Sequence, residues 1–270
     1  MIEYTPKELE GNVNVSSISP VKDFFVLLAG LFGLILFIYI LLGILVDIVA
    51  GYIPAKFENS LGNLYKASIV HQKQSLEIQQ EELKIQKILQ KFEPHFARKD
   101  LKFTVQVIDE KTVNAFAYPG GHIVVYSQLF NQSKSENEIA FVLAHELGHY
   151  AGHDHLRAAG RGLVFVLASV VLFGSDSQIS QFISELLSVT HMKFSQKQEL
   201  KADYYALDLL QKAYGNVDGA VEFMSQMSDA DNNDQFTYFF ATHPYPKTRL
   251  QLLKNKIQDK GYSQSNPSQK

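Results

Sequence analysis

The apolar residues of the chain form a long run near its start and are spread more evenly after it. Residues 24–46, FFVLLAGLFGLILFIYILLGILV, carry no charge, and a helix needs about 20 such residues to cross a bilayer. A secretory signal peptide has a shorter apolar core and a small-residue cleavage site. Here Asp47, Tyr52 and Pro54 follow the run instead. The pattern predicts a retained, single-pass transmembrane anchor; cleavage and a buried core helix are the alternatives.

The charges on either side of this run leave its orientation open. Lys7 and Lys22 lie close before the run, and Lys56 and Lys66 lie close after it. The positive-inside rule, which counts Lys and Arg near the membrane, therefore favours neither side. Residues 1–23 are polar and are predicted to form a short tail. The predicted location is a membrane, with the lipid bilayer as a partner and the side of the remaining chain left open.

A polar segment follows the anchor. Residues 57–92 are rich in Gln, Lys and Glu, contain no Pro and are predicted to be helical. Leu76 and Leu83 are seven residues apart, but a coiled coil needs about three or four sustained heptads. Residues 55–92 are therefore predicted to be a helical linker that packs on the following domain or tethers it to the membrane.

Strand-like alternation begins after the linker. In LKFTVQVID, Phe103, Val105 and Val107 alternate with polar residues, which predicts a half-buried strand. Residues 113–127, VNAFAYPGGHIVVYS, predict two strands joined by a Pro-Gly-Gly turn, in which proline presets φ and glycine can adopt a positive φ. We predict that these strands form a small antiparallel sheet.

Helical patterns follow the strands. Residues 135–138, SENE, are typical of a capping box, and the helix that starts there would carry residues 140–156, AFVLAHELGHYAGHDHL. Residues 163–173, LVFVLASVVLF, are too few to span a bilayer alone, and they form either a buried helix or a re-entrant segment beside the anchor. A further helix is predicted over 195–213.

The composition supports a packed domain and limits its chemistry. The 270 residues are 46% hydrophobic, and the predicted fold is α+β, mostly α-helical, with a domain at 93–256 and a disordered tail at 257–270. The formal net charge of -3 gives no reason to expect nucleic acid as a partner. The chain has no Cys, so any metal site must consist of His and carboxylate side chains. Nothing in the sequence fixes the oligomeric state.

The helix over 140–156 carries ionisable residues among apolar ones. His145 and His149 are four residues apart and lie on one helix face, where two neutral imidazoles can hold one zinc ion. Glu146 is adjacent and can accept a proton from a water at that ion. The alternative is a helix face with solvated His and Glu. The apolar neighbours argue against it, because a helix would bury them.

A second segment supplies a candidate third ligand. Catalytic zinc takes three protein ligands and keeps one position open. In QELKAD we predict that Glu199 is the third ligand, although a surface charge is the alternative. Asp203 lies four residues further on the same helix face and is predicted to hold the free N–H of a ligating histidine. The sequence thus predicts one zinc ion per chain.

Four motifs within residues 54–250 carry a family resemblance: NAFAYPGGHIVV, AHELGHYAGHDHLR, FSQKQELKADYYALDLL and THPYP. They resemble the HtpX and CAAX-prenyl-protease family of membrane-associated zinc metallopeptidases, which are gluzincins. The resemblance implies a zincin-like metallopeptidase domain in which Glu146 is the general base. It also implies that zinc is bound by His145, His149 and Glu199.

The resemblance also extends to substrate residues. It implies an edge strand at Asn114, Ala115, Phe116 and Ala117 that binds a peptide by β-augmentation, through main-chain hydrogen bonds. An ordinary hairpin is compatible with the same pattern. It further places His243 near the zinc, in a loop that Pro244 stiffens. There His243 could block the open coordination position, donate a hydrogen bond to the oxyanion during catalysis, or merely cap a turn.

One position departs from the family pattern. Many members have a histidine five residues after the second histidine of HExxH, and here that residue is Asp154. It is flanked by His153 and His155, which we predict to be solvated or to support the site rather than to bind metal.

These features predict a membrane-anchored zinc endopeptidase that hydrolyses polypeptide substrates. A role in the quality control of membrane proteins is implied by the resemblance alone. The alternative function is a non-catalytic, membrane-tethered scaffold or chaperone with a structural zinc site. The intact Glu146 favours the enzyme, since a purely structural site does not need it. A third interpretation, a tether acting through residues 57–92, requires none of the zinc ligands.

Overall fold

The computed structural model describes residues 20–68, 75–173, 194–229, 239, 242–244 and 246–264. Its helices are α1 (Pro20–Val49), α2 (Ala55–Ser68), α3 (Leu76–Phe92), α4 (Gln128–Gln132), α5 (Glu136–Ala151), α6 (Asp154–Phe173), α7 (Gln196–Tyr214), α8 (Ala220–Asp229) and α9 (Pro246–Lys260). Its strands are β1 (Thr104–Ile108), β2 (Ala115–Tyr118) and β3 (His122–Tyr126). The predicted mostly helical α+β class is confirmed.

The predicted anchor lies within α1. Within the described part of the chain, the stretch Pro20–Tyr52 is the one helix long and apolar enough to cross a membrane, by length and composition. The helix starts at Pro20, where the fixed φ of proline suits a first helical turn. The predicted tail over 1–23 therefore ends four residues too late, and its residues 1–19 lie outside the described ones.

The predicted helical linker over 55–92 contains two helices, α2 and α3. Ser75 is extended (φ -69°, ψ 164°), and its hydroxyl accepts the N–H of Ile78, which starts α3. Residues 69–74 lie outside the described ones. One face of α3 is buried in the core through Ile85, Ile88 and Phe92, as its apolar spacing requires. This part of the segment is therefore a packed element of the domain.

The sheet is mixed, which corrects the prediction of an antiparallel sheet. Its strand order is β1-β3-β2; β2 and β3 are antiparallel, whereas β1 and β3 are parallel. The Pro-Gly-Gly turn forms the β2–β3 hairpin as predicted, with both glycines at positive φ. Alternation shows which residues face the core, but it does not show which neighbouring strand a strand pairs with. Strand β2 is consequently an edge of this sheet.

Helices α5 and α7 pack unusually closely at one point. A Cβ atom added at Gly148 would lie 2.7 Å from the Cα of Ala202, so no side chain fits there. Helix α7 starts with a complete capping box between Ser195 and Gln198 and ends at Gly215 in the left-handed conformation. The glycine contact brings the backbones of the two helices that carry the predicted ligands together.

Three details in the second half of the chain differ from the predictions: one helix cap, the end of the last helix, and the extent of the helix that contains residues 163–173. The Ser135 hydroxyl accepts the N–H of Glu138 as predicted, but the Glu138 carboxylate accepts the N–H of Lys134 instead of closing the box. Helix α9 continues to Lys260 with Ile257 buried, so the tail predicted from 257 starts too early; residues 265–270 lie outside the described ones. The apolar run 163–173 is the second half of the longer helix α6.

Candidate metal centre

The predicted ligands meet at one buried point. Helix α5 contributes His145 and His149, α7 contributes Glu199, and the segment before α9 contributes His243. One possible ligand atom from each of these four buried side chains lies within 4.8 Å of every other. Spacing along the helices explains the first pair, while the close α5–α7 packing explains the third ligand.

The distances show that these side chains face one another. The Nε2 atoms of His145 and His149 are 3.1 Å apart. The two carboxylate oxygens of Glu199 each lie 3.5 Å from one of these nitrogens. Two histidine nitrogens and a carboxylate, all removed from water, form a donor set suited to a divalent transition metal.

Each of the two α5 histidines is held from behind by an aspartate. The Nδ1 of His145 lies 2.9 Å from the Oδ1 of Asp203, which is the contact expected from the sequence. The Nδ1 of His149 lies 3.1 Å from the Oδ2 of Asp154. Such contacts fix the tautomer so that Nε2 is presented to a metal. Asp154, the position that departs from the family pattern, therefore has a role that the sequence reasoning did not assign.

Arg249 is a further residue that the sequence reasoning missed. Its guanidinium is 1% exposed and donates from Nε and Nη2 to the Asp203 carboxylate, at 2.8 and 2.7 Å. Its Nη1 also contacts Glu199. The sequence carried a signal for the burial of Arg249, although not for its partner. Arg249, Leu253 and Ile257 are four residues apart and share the buried face of α9.

The electrostatics of the centre favour ionised carboxylates beside a cation. Burial alone would raise the pKa of Asp203, but the charge and hydrogen bonds of Arg249 outweigh it and lower the pKa to about 2. For Glu199 burial is likewise outweighed, by His243 and Arg249, and its pKa is well below the ordinary value. Burial lowers the pKa of His149, yet the hydrogen bonds to Asp154 and Glu199 raise it to about 10. The pocket therefore attracts positive charge.

Glu146 occupies a different environment from the other carboxylates. It is 1% exposed, and burial raises the pKa of its carboxyl group. Its Oε1 lies 3.5 Å from the Nε2 of His243, and both atoms are buried without a hydrogen-bond partner among the described residues. The backbone amide of Ala117 interacts with the same carboxylate. A base with a raised pKa beside the ligand cluster is what proton transfer near neutral pH requires.

The predicted substrate residues lie next to this carboxylate. Ala115, Phe116 and Ala117 form most of edge strand β2, and the side-chain oxygen of Asn114 accepts the N–H of Ala115. All four residues of the strand are buried as whole residues, and the strand is an edge of the described sheet. Its role in peptide binding stays a prediction.

His243 lies inside the cluster. Its Nδ1 is 3.1 Å from the Oε1 of Glu199 and 3.3 Å from the Nε2 of His145. Its backbone N–H donates to the carbonyl of Phe239 at 2.7 Å, and the two rings pack 4.6 Å apart. The prediction that His243 lies near the metal site agrees with this placement, and its chemical role stays open.

His153 and His155 contact other partners and are not in the ligand cluster. The Nε2 of His155 lies 2.8 Å from Glu58 of α2, which is fully buried, and His153 lies 2.9 Å from Arg98. Arg98 in turn donates to Glu58 at 2.9 Å. Burial alone would raise the pKa of Glu58, but His155 and Arg98 outweigh it and lower the pKa. We call Glu58, Arg98 and His155 the buried clamp; the sequence reasoning missed it.

Comparison with known proteins agrees with this geometry. The sequence model of peptidase family M48 matches residues 79–257, which is more than half of the chain and contains every residue of the ligand cluster. Mitochondrial metalloendopeptidase OMA1 of Arabidopsis thaliana is 32% identical to the chain, over 57% of this chain and 31% of that protein.

Two bacterial proteins are similarly related. The beta-barrel assembly-enhancing protease of Escherichia coli (strain K12) is 29% identical over 56% of this chain and 33% of its own length. Metalloprotease LoiP of the same organism is 33% identical over 56% of this chain and 61% of its own length. The chain thus spans less than two thirds of the length of each of these relatives. The extent of the family match, and the HExxH helix within it, show that the chain belongs to peptidase family M48.

Proposed function

We propose that this chain is a membrane-anchored zinc endopeptidase. The observation that carries the proposal is the position of Glu146, whose buried carboxylate lies between the ligand cluster and the backbone amide of Ala117 in the edge strand. Proposed ligands of one zinc ion are His145, His149 and Glu199. A base beside the ligands and beside a peptide-binding edge is needed for hydrolysis and serves no purpose in a purely structural site.

The chemistry follows from these positions. Zinc, when bound, supplies Lewis acidity that polarises the scissile carbonyl and lowers the pKa of water to about 7. Glu146 accepts the proton of the attacking water and then delivers it to the leaving amine, and its raised pKa suits both transfers. Asp203 and Asp154 keep the Nε2 atoms of the two histidines directed at the centre. Strand β2 positions the substrate backbone, so polypeptides are the substrates.

The membrane location and the cellular role belong to the same proposal. Helix α1 provides a span of sufficient length, and the relatives include a mitochondrial metalloendopeptidase and a beta-barrel assembly-enhancing protease. On this basis the chain is a single-pass membrane enzyme that removes damaged or misassembled membrane proteins.

One observation favours the alternative function, a scaffold with a structural zinc site. With His243, the cluster contains four potential ligands, and structural zinc sites are usually closed by four protein ligands. In that case no coordination position would be left for a water, and Glu146 would have no water from which to accept a proton.

Cleavage of casein by the purified chain tests the proposal against the scaffold. We expect about one zinc ion per chain by elemental analysis, cleavage of casein, and loss of cleavage in a chelator with recovery on adding zinc. A chain that binds zinc but leaves casein intact under all these conditions would support the scaffold.

We expect Glu199→Ala to bind zinc much more weakly than the unmodified chain, because a direct ligand is lost. Asp203→Ala should weaken zinc binding or activity less, by about 10–100-fold, since it removes no ligand but only the partner of His145 and Arg249. Asp208→Ala, an exposed residue of the same helix, is the control and should bind normally. Titration with zinc measures all three, and normal affinity in Glu199→Ala would place the third ligand elsewhere.

His243→Ala separates the roles of this histidine. Higher casein turnover is expected if His243 closes the fourth coordination position. A fall of about 10²–10³-fold with zinc retained is expected if it stabilises the oxyanion, as loss of one such donor costs about 2.7–4 kcal/mol. His95→Ala, at an exposed histidine of the same domain, controls for nonspecific effects. Unchanged kinetics and unchanged zinc affinity would leave His243 a structural residue.

A further inference from the structure

Helix α6 leaves the metal centre and runs beside the anchor. As α6 advances from His155 to Arg161, its contacts move from Glu58 of α2 back to Asp47 of α1, at 2.8 and 2.7 Å. A Cβ atom at Gly160 would lie 2.7 Å from a methyl carbon of Val46. The second half of α6 therefore extends alongside α1 and antiparallel to it.

The charged residues that border the apolar stretches of α1 and α6 lie next to each other. Asp47 is the first charge after the apolar run of α1, and it pairs with Arg161, the last charge of α6. Residues 162–173, GLVFVLASVVLF, carry none. At about 1.5 Å per residue this stretch extends about 18 Å beyond Arg161, a little over half the thickness of a bilayer core.

Among the side chains described beyond Arg161, the exposed ones are the apolar Leu163 and Phe165. Gly160, Val164 and Ala168, four residues apart, are partly buried, so one face of the helix is covered. Leu163 lies off this face and is 53% exposed, close to the 56% of Leu34 in the middle of α1. A leucine this exposed beside a membrane anchor continues the apolar surface of that anchor.

We propose that α6 enters the lipid bilayer beyond Arg161, in the leaflet that holds the second half of α1, and that acyl chains are the partner of its exposed face. The inference rests on the proposed function in one respect, which is that α1 spans the membrane. Arg157 and Arg161 then lie at the level of the headgroups, where they pair with Asp47 and can bind lipid phosphates.

This arrangement defines a class of substrates. Helix α6 starts at Asp154, which contacts the ligand His149, and only seven residues separate Asp154 from Arg161. About 10 Å of helix therefore lies between the metal centre and the headgroup level. The substrates accessible to such a site are polypeptide segments that lie close to the surface of the same bilayer.

The experiment exploits the absence of tryptophan from the chain. Leu163→Trp is compared with Leu83→Trp on α3, a matched control because the two leucines are 53% and 56% exposed. Leu34→Trp reports on the anchor, and Phe165→Trp is a second, conservative variant in α6. Each full-length variant is placed in phosphatidylcholine vesicles with brominated acyl chains, and its far-UV circular dichroism spectrum checks that it is folded.

We expect bromolipid to quench Leu163→Trp and Phe165→Trp to an extent comparable with Leu34→Trp, whereas aqueous iodide quenches only Leu83→Trp. If both α6 variants respond to iodide like Leu83→Trp while Leu34→Trp is quenched by bromolipid, the proposal is overturned and the anchor stands. If Leu34→Trp also escapes bromolipid, the anchoring part of the proposed function is overturned together with it. Neither result depends on the chemistry of the metal centre.

Discussion

Glu146→Gln should retain zinc and lose casein cleavage by about 10²–10⁴-fold, the usual contribution of a general base. Glutamine keeps the shape of the buried side chain, but it cannot accept a proton from water. The substitution also removes no proposed ligand, since these are His145, His149 and Glu199. Single-turnover cleavage and elemental analysis of the same sample measure both quantities.

The matched control for this prediction is Glu136→Gln. Glu136 belongs to the same helix, but its side chain is 57% exposed and pairs with Lys91 at the surface. We expect wild-type turnover in this control. Comparable turnover in Glu146→Gln would exclude Glu146 as the base and would assign proton transfer to another group.

Arg249→Met should lower the free energy of unfolding by about 3–5 kcal/mol, because it breaks a buried ion pair and leaves two carboxylates uncompensated. The guanidinium holds Asp203 in a bidentate contact and also contacts Glu199, all with side chains at most 1% exposed. Methionine fills similar volume, so the loss reports on charge rather than on a cavity. Urea unfolding of the metal-free chain in detergent measures it.

Two variants check the cause of this loss. Lys91→Met removes an exposed ion pair, with side chains 48% and 57% exposed, and should cost no more than about 1 kcal/mol. Adding Asp203→Asn to Arg249→Met removes one of the unpaired charges and should restore part of the stability. An Arg249→Met protein as stable as the Lys91→Met protein would mean that the buried pair contributes no net stability.

Local patterns in the sequence were sufficient to nominate the candidate ligands. HExxH spacing places His145 and His149 on one helix face, and the same rule relates Glu199 to Asp203. The observed distances agree with both expectations, since the two histidines and Glu199 face each other and Asp203 contacts His145. Helical geometry fixes each pair by itself, whereas the meeting of the two pairs depends on the close packing of α5 against α7.

What the sequence reasoning missed depends on contacts between distant segments. Arg249 reaches Asp203 from a helix 46 residues away, and Glu58 meets His155 across 97 residues. Neither spacing has a helical or strand period that could reveal it. The parallel pairing of β1 with β3 belongs to the same class, because alternation assigns faces and leaves the order of strands undetermined. Asp154 was noticed as a departure, yet its contact with His149 needs the turn between α5 and α6.

For the proposed membrane peptidase, the buried clamp bears on how a substrate reaches the metal centre. Only residues 50–54 separate α1 from α2, and Glu58 within α2 is fixed to Arg98 and His155. A protease on a long flexible linker samples a large volume of solution, and its effective concentration near a membrane-bound substrate falls as the linker lengthens. Here the connection is short and its far side is fixed by the buried clamp. If α1 spans the bilayer as proposed, the metal centre keeps a constant distance and orientation relative to the membrane surface, and a membrane-bound substrate reaches it by lateral diffusion in two dimensions.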